Sequence, residues 1–389
     1  MLRLQKYFYI TGFGFIYAFL LMLRLRGSVF RLPADPGYYI FQGVRQDSFR
    51  NLITLETDYI YFLERFVAFI VVAFPIELTA LVSSLITSLI WVSTAVIVTA
   101  ITKQTTRSSL LGVGAGLMVV LVPAASESSI GNIGNIKWQV LIVLTVVGTS
   151  TFLLSTKKYF VWALAVIAGF THLLALIAAI PLLAGSFSLD KNVSKTSRVA
   201  FGLISASFIC QFLVHFQTGN GLVRGQITYY WQGIPIFWLF NLVFPLALCG
   251  GVAFTAIALR RFTAERFPAS FLISIAGLLL GLVSYVMGGI ADRYFVAPTV
   301  LGWVALLFLF SDVRAKFPKL SLVVLIPIVL VLSLGAFKWF GPSSYIDSGP
   351  TWSSEVERGR IQCLNTGAAT IDLQMPVGTT EVPCSDLED

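Results

Sequence analysis

Residues 110–154 read LLGVGAGLMVVLV (110–122), PAA, SESSIGNIGNIKW (126–138) and QVLIVLTVVGTSTFLL (139–154): two apolar runs flanking one polar loop. Neither run keeps a polar face for water, so a lipid bilayer is the natural solvent for both. The pattern recurs along the whole chain, in which 57% of residues are hydrophobic, 12% are charged and 32 are Phe. That profile belongs to an all-α polytopic membrane protein and excludes an ordinary soluble domain. The first stretch, MLRLQKYFYITGFGFIYAFLLMLRLRG, has a basic flank and an apolar run but no small-residue cleavage site, so it reads as an uncleaved span.

Apolar runs place eleven expected spans near 7–25, 77–102, 109–125, 138–155, 159–171, 172–187, 199–215, 237–259, 268–289, 294–311 and 320–337. Residues 159–187 are too long for one crossing and short for two, since a helix needs about 20 residues to cross the hydrocarbon. Charge decides the matter. If that segment goes across and back, KQTTR, STKK, DKNVSKTSR, RRFTAER and DVRAKFPK share one side with Arg3 and Lys6, as the positive-inside rule requires. The amino terminus is then expected in the cytoplasm and the carboxyl terminus outside. The same parity removes DYIYFLERFVAFIVVAF (58–74) from the spans and predicts a helix along the outer surface, ending at Pro75.

Most Lys and Arg then lie inside and nearly all Asp and Glu outside. Arg24, Arg26, Arg31, Arg45, Arg50 and Arg65 run against that trend, between the first span and the surface helix. Guanidinium groups beside a membrane suit a lipid phosphate or pyrophosphate; solvation, or pairing with Asp47, Glu56 and Asp58, is the plainer alternative. No GxxxxGK or HExxH motif occurs, nothing points to nucleic acid, and His172 and His215 read as structural. Cys210 and Cys249 lie in apolar spans and read as small hydrophobes. The expected division is a membrane domain over 1–338 and an extracytoplasmic tail over 339–389. In that tail, Cys363 and Cys384 are expected to form a disulfide stapling a helix and a small hairpin.

PADPGYYIFQGV (33–44), YIYFLERFVAFIVVAFP (59–75), SESSIGNIGNIKW (126–138) and DRYFVAPTVL (292–301) resemble, in that order, four elements of bacterial multispanning glycosyltransferases of the GT-C type. They match the first outer loop, surface helix, second outer loop and a late outer loop, and the tail from WSSEV to VPC extends the likeness. Where such proteins carry an acidic pair in the first loop, this chain has Ala34 and Asp35; where they carry Pro before the surface-helix Arg, it has Glu64. The resemblance implies sugar transfer from a polyprenyl-phosphate donor to a cell-envelope glycan or lipid acceptor at the outer face of a bacterial plasma membrane. Such transfer needs a carboxylate to deprotonate the acceptor hydroxyl and cations to hold the leaving phosphate. Asp35, Glu127 and Glu64 are the candidate catalytic carboxylates.

The candidate phosphate ligands are Arg65 and Arg293, and Arg224 is a further candidate for binding substrate. Tyr294 accompanies Arg293, and Tyr229, Tyr230 and Trp231 follow Arg224 as a sugar platform or an ordinary interfacial belt. Asn132 and Asn135, three apart, would share a face in a helical turn and offer amides to sugar hydroxyls, beside the apolar face of Trp138. A plain loop with an aromatic anchor would use the same residues. The resemblance leaves a divalent cation open, since some such enzymes use one and others do not; Asp35, Glu127 and Asp292 are the oxygen ligands on offer. Two rival functions share the composition. A lipid-linked glycan flippase or transporter would carry charges midway along its spans, and these spans hold almost none. A polymerase of lipid-linked repeat units would share the outer Arg residues.

Overall fold

The structure, a computed structural model, describes residues 2–25, 29–32, 60–122, 131–217, 243–260, 269–288, 292–316, 349–376 and 378–387. Helix α1 runs Leu2–Leu25 and α2 Phe62–Val72; a 3-10 turn at Ile76–Leu78 leads into α3, Thr79–Thr106, and α4 spans Ser109–Val120. A second 3-10 turn, Ile133–Asn135, opens α5 (Ile136–Gly148), followed by α6 (Thr151–Thr156), α7 (Lys158–Thr171), α8 (Ala175–Ala178) and α9 (Ile180–Gly185). Then come α10 (Lys191–Gln217), α11 (Phe244–Arg260), α12 (Ala269–Gly288) and α13 (Val296–Lys316), the last entered through a 3-10 turn at Asp292–Phe295. The tail holds α14 (Trp352–Thr366), β1 (Thr370–Gln374) and β2 (Thr379–Pro383).

Among the described residues, four helical stretches are long and apolar enough to cross a membrane: Ile76–Thr106, Lys191–Leu213, Ala269–Val286 and Arg293–Arg314. Shorter apolar helices cover Thr11–Leu25, Ser109–Val120, Ile133–Gly148, Lys158–Thr171 and Phe244–Ala258. The expected span at 320–337 lies outside the described residues. The expected span at 138–155 is broken: α5 stops at Gly148, and Ser150 accepts from the Leu153 amide to cap α6. A capping hydroxyl inside an apolar run gives the chain a second helix start. Residues 159–187 form α7, a turn at His172, and the short α8 and α9. At 1.5 Å per residue α7 is about 20 Å long, less than the hydrocarbon thickness.

The hairpin of α3 and α4 shows how the bundle closes. Arg107 takes a left-handed conformation (φ 56°) and Ser108 caps α4 by accepting from Leu111 N. A Cβ at Gly116 would lie 2.1 Å from Thr99 Oγ1, and one at Gly112 would lie 2.8 Å from Thr99 O, so only glycine lets these helices approach so closely. Tyr17 of α1 seals the contact by a 2.8 Å hydrogen bond to Thr99 Oγ1. Arg24 donates to the carbonyls of Val120 and Val122 at 2.9 and 3.3 Å, satisfying acceptors that α4 leaves open at its C-terminus. At the centre lie α5, buried at nearly every position, and α13, whose apolar window is 89% buried.

Cys363 and Cys384 are joined, and β1 pairs antiparallel with β2, Asp372 opposite Glu381. The tail does not stand alone. Trp352 Nε1 donates to Ile76 O at 2.7 Å, Arg360 pairs with Glu77, and Arg31 Nε donates to Gly349 O at 2.8 Å. Glu355 is nearly buried, which favours its neutral form, yet its bonds from the Arg358 guanidinium and the Gln374 amide hold its carboxyl below the usual carboxylate range. One apolar cluster runs from Val356, Leu373 and Val382 of the tail to Val67 and Val71 of α2 and Ile133 of the turn before α5. The tail therefore clamps α2 and that turn against the bundle, where the candidate site lies.

Candidate functional site

Helix α2 is the shorter form of the helix expected at 58–74. Glu64, Val67, Ala68 and Val71 are buried at the i, i+3, i+4, i+7 spacing of one face, with Arg65 beside them, while Phe66 and Phe69 point outward. Two of those inward residues are charged. Glu64 is 0% and Arg65 2% exposed. Neither carboxyl oxygen of Glu64 has a hydrogen-bond partner among the described residues. Burial pushes this carboxyl up to about 7, against the opposing pulls of Lys137, of the residue's own backbone N–H and, most weakly, of Arg65.

The loop before α5 supplies the facing wall. Asn132 caps the 3-10 turn, its Oδ1 accepting from Gly134 N at 2.8 Å, and its carbonyl accepts from Asn135 N at 3.1 Å. The amide oxygen expected to meet a sugar hydroxyl is thus engaged in shaping the turn. Asn135 begins α5 and is 2% exposed. Gln139, with its amide oriented to suit its neighbours, donates to Asn135 O and Ile136 O and accepts from Trp91 Nε1 at 3.1 Å, fixing this turn to α3.

Lys137 occupies the first turn of α5, where the helix dipole disfavours a cation. Aromatic faces offset that cost. Its Nζ sits 5.0 Å from the Tyr61 ring centroid and 5.8 Å from that of Trp138. Tyr61 reaches this position from a left-handed backbone (φ 44°), a strained conformation for a bulky residue, immediately before α2. Trp138 is 1% exposed and stands edge-on to Tyr294 at 5.9 Å; the Arg293 guanidinium carbon lies 5.4 Å from the Tyr294 ring. Tyr61, Lys137, Trp138, Tyr294 and Arg293 form one row of rings and cations, with Lys137 between Tyr61 and Trp138 and Arg293 beyond Tyr294. Trp138 Nε1 is buried with no hydrogen-bond partner among the described residues. His172 packs on Trp138 at 5.5 Å and accepts from Leu174 N at 3.0 Å through Nδ1, the structural use expected of it.

Glu64, Arg65, Asn132, Asn135, Trp138, Arg293 and Tyr294 thus gather at one end of the bundle from three separated stretches of sequence. Asp35, Glu127 and Arg224 lie outside the described residues. Lys137 and Tyr61 were not singled out from sequence, although a lysine opening an apolar helix was a visible irregularity. Of the six Arg residues expected on the outer side, Arg24 and Arg31 bond to backbone carbonyls, and Arg26, Arg45 and Arg50 lie outside the described residues. Among the described residues no three His, Cys, Asp or Glu side chains are placed to hold a metal ion.

No family model and no curated protein matches the sequence. Among solved structures the chain is similar to the crystal structure of the Archaeoglobus fulgidus oligosaccharyltransferase in complex with Zn and sulfate, with a TM-score of 0.48 and 15% identity. The match covers 92% of this chain and 56% of that one, so this chain spans about half the length of the protein it matches.

Proposed function

We propose that this chain is a membrane glycosyltransferase of the GT-C kind, moving a sugar from a polyprenyl-phosphate carrier to a glycan or lipid acceptor of a bacterial cell envelope. The observation that carries the reading is the row of rings and cations beside the buried carboxyl of Glu64. Cations set among aromatic rings, at the end of apolar helices, suit a lipid phosphate and the sugar joined to it. Arg65, Lys137 and Arg293 would neutralise the phosphate as it leaves. Glu64, with a pKa of about 7, is poised to take the acceptor's proton near neutral pH; Asp35 and Glu127 are its alternatives in the same role. Asn135 and Trp138 would line the sugar. The outer-loop resemblance supports the same assignment.

In this reading residues 1–338 are the membrane domain and 339–389 an extracytoplasmic tail that holds α2 in place. The amino terminus is cytoplasmic, and the site faces outward. The test is to reconstitute the purified chain and supply a polyprenyl-monophosphate sugar in one arm and a polyprenyl-pyrophosphate oligosaccharide in the other. Consumption of the monophosphate donor, with a higher KM in Arg293→Ala and Arg65→Ala, is expected. Consumption of the pyrophosphate oligosaccharide alone would assign a polymerase. Movement of lipid-linked glycan across the bilayer without transfer would assign a flippase.

A further inference from the structure

The far end of α7 and the start of α10 carry a second polar feature, away from the proposed transfer site. A cleft of about 510 Å³ is lined by Ser188, Lys191, Ser194, Lys195, Arg198 and Val199. Lys191, Lys195 and Arg198 recur at i, i+4 and i+7, so they form one stripe on α10. Among the described residues no carboxylate lies within ion-pair distance of any of the three. The nearest acid in sequence, Asp190, is committed: its Oδ1 accepts from Asn192 N at 2.9 Å and Val193 N at 3.3 Å, capping the helix. Lys158 lies close by, because Trp162, whose ring it approaches at 5.9 Å, donates from Nε1 to Thr196 O at 3.3 Å.

The guanidinium is held ready. Arg198 Nε and Ser194 Oγ both donate to Ser186 O, at 3.1 and 2.7 Å, leaving both Nη groups of Arg198 without a described partner at the cleft wall. A fork fixed at one nitrogen and open at the other two matches the oxygens of a phosphate. The surroundings are apolar as well as basic: Phe187, Leu189 and Tyr159 are 79%, 81% and 72% exposed. Bulky side chains standing out beside a cationic cleft fit a membrane interface, with rings and alkyl groups among acyl chains and the cations at headgroup depth.

We infer that this cleft binds the headgroup phosphate of an anionic phospholipid. Arg198 takes two phosphate oxygens, Lys191 and Lys195 supply point charges, and Phe187 and Leu189 seat the acyl chains. The site is separate from sugar transfer, lying at the other end of α7, so its failure would leave the proposed function untouched.

Native mass spectrometry of the full chain in detergent tests the site, with dioleoyl phosphatidylglycerol, dioleoyl phosphatidylcholine or inorganic phosphate added separately. Phosphatidylglycerol is expected to bind more tightly than phosphatidylcholine, and inorganic phosphate is expected neither to bind nor to displace it. Lys191→Gln, Lys195→Gln and Arg198→Gln together should weaken phosphatidylglycerol binding on the order of a hundredfold, from roughly fivefold per cation. Lys103→Gln with Arg314→Gln should leave it unchanged. If the triple variant does not fold, Arg198→Gln alone is read, with about fivefold weakening expected. Equal binding of both lipids, displacement by inorganic phosphate, an unaffected Arg198→Gln variant or an equal loss in the control pair would each overturn the inference.

Discussion

Replacing Glu64 by Gln is expected to stabilise the protein, increasingly so as pH rises. The carboxyl is 0% exposed and neither oxygen has a described hydrogen-bond partner, so its ionised form is disfavoured in the fold and its pKa stands at about 7 against an ordinary 4.5. Below 4.5 folded and unfolded chains both hold the proton, and ionisation contributes nothing to the difference between them. Between the two values the unfolded chain ionises first, so stability falls as pH rises, and the loss is complete once pH exceeds the folded value. At 1.36 kcal/mol per unit, the full gap of 2.5 is worth about 3 kcal/mol above pH 8 and under ~1 kcal/mol at pH 5. Glutamine carries no such term. Thermal unfolding in detergent at pH 5 and pH 8.5 should therefore show the Glu64→Gln variant gaining on the wild type by several degrees between the two. A difference that stays flat with pH, or a variant less stable at pH 8.5, would refute the burial argument.

Three further outcomes follow from other contacts. Lys137→Met removes the charge that pulls the Glu64 pKa downward, so the acidic limb of the kcat/KM profile should move to higher pH; a stationary limb would separate Glu64 from proton transfer. Cys363→Ser opens a bridge with a sequence separation of 21; loop-closure entropy puts the loss at about 3 kcal/mol. Amides of β1 and β2 should then exchange with solvent roughly two orders of magnitude faster, and unchanged protection would mean that docking on Ile76 and Glu77 suffices. For topology, an impermeant thiol reagent applied outside should label Ser353→Cys and spare Asn192→Cys, both exposed positions; the reverse pattern would invert the chain in the membrane.

The helical character and the stapled tail were legible from local signals, whereas only four of the eleven expected spans appear as helices long enough to cross a membrane among the described residues. A helix within 58–74 was legible from its apolar run and Pro75, and the stapled helix and hairpin from two tail cysteines and the alternation in ATIDLQMPV. The break after Gly148 was missed because QVLIVLTVVGTSTFLL reads as one mostly apolar run, although Gly148-Thr149-Ser150-Thr151 interrupts it and Ser150 caps the next helix. The gathering of several candidate residues was more legible than the hydrogen bonds that hold them. Asn132 was visible as a polar residue, but its Oδ1 bond to Gly134 N is a local Asn-X-Gly turn that competes with any ligand. Lys137 was overlooked because its neighbours are tertiary: Tyr61 comes from the start of α2, and its left-handed backbone has no signature in YIYFLERF.

The central claim is that a buried carboxyl among cations at one end of this bundle drives sugar transfer. The direct measurement is turnover of a polyprenyl-monophosphate sugar by the reconstituted chain and its Glu64→Gln, Asp35→Asn and Glu127→Gln variants, at equal protein level. A general base contributes about 10²–10⁴ in rate. The account expects Glu64→Gln to lose that much with donor binding retained and the other two to lose less. Wild-type turnover in all three variants, or no donor consumed by the wild type, would contradict it.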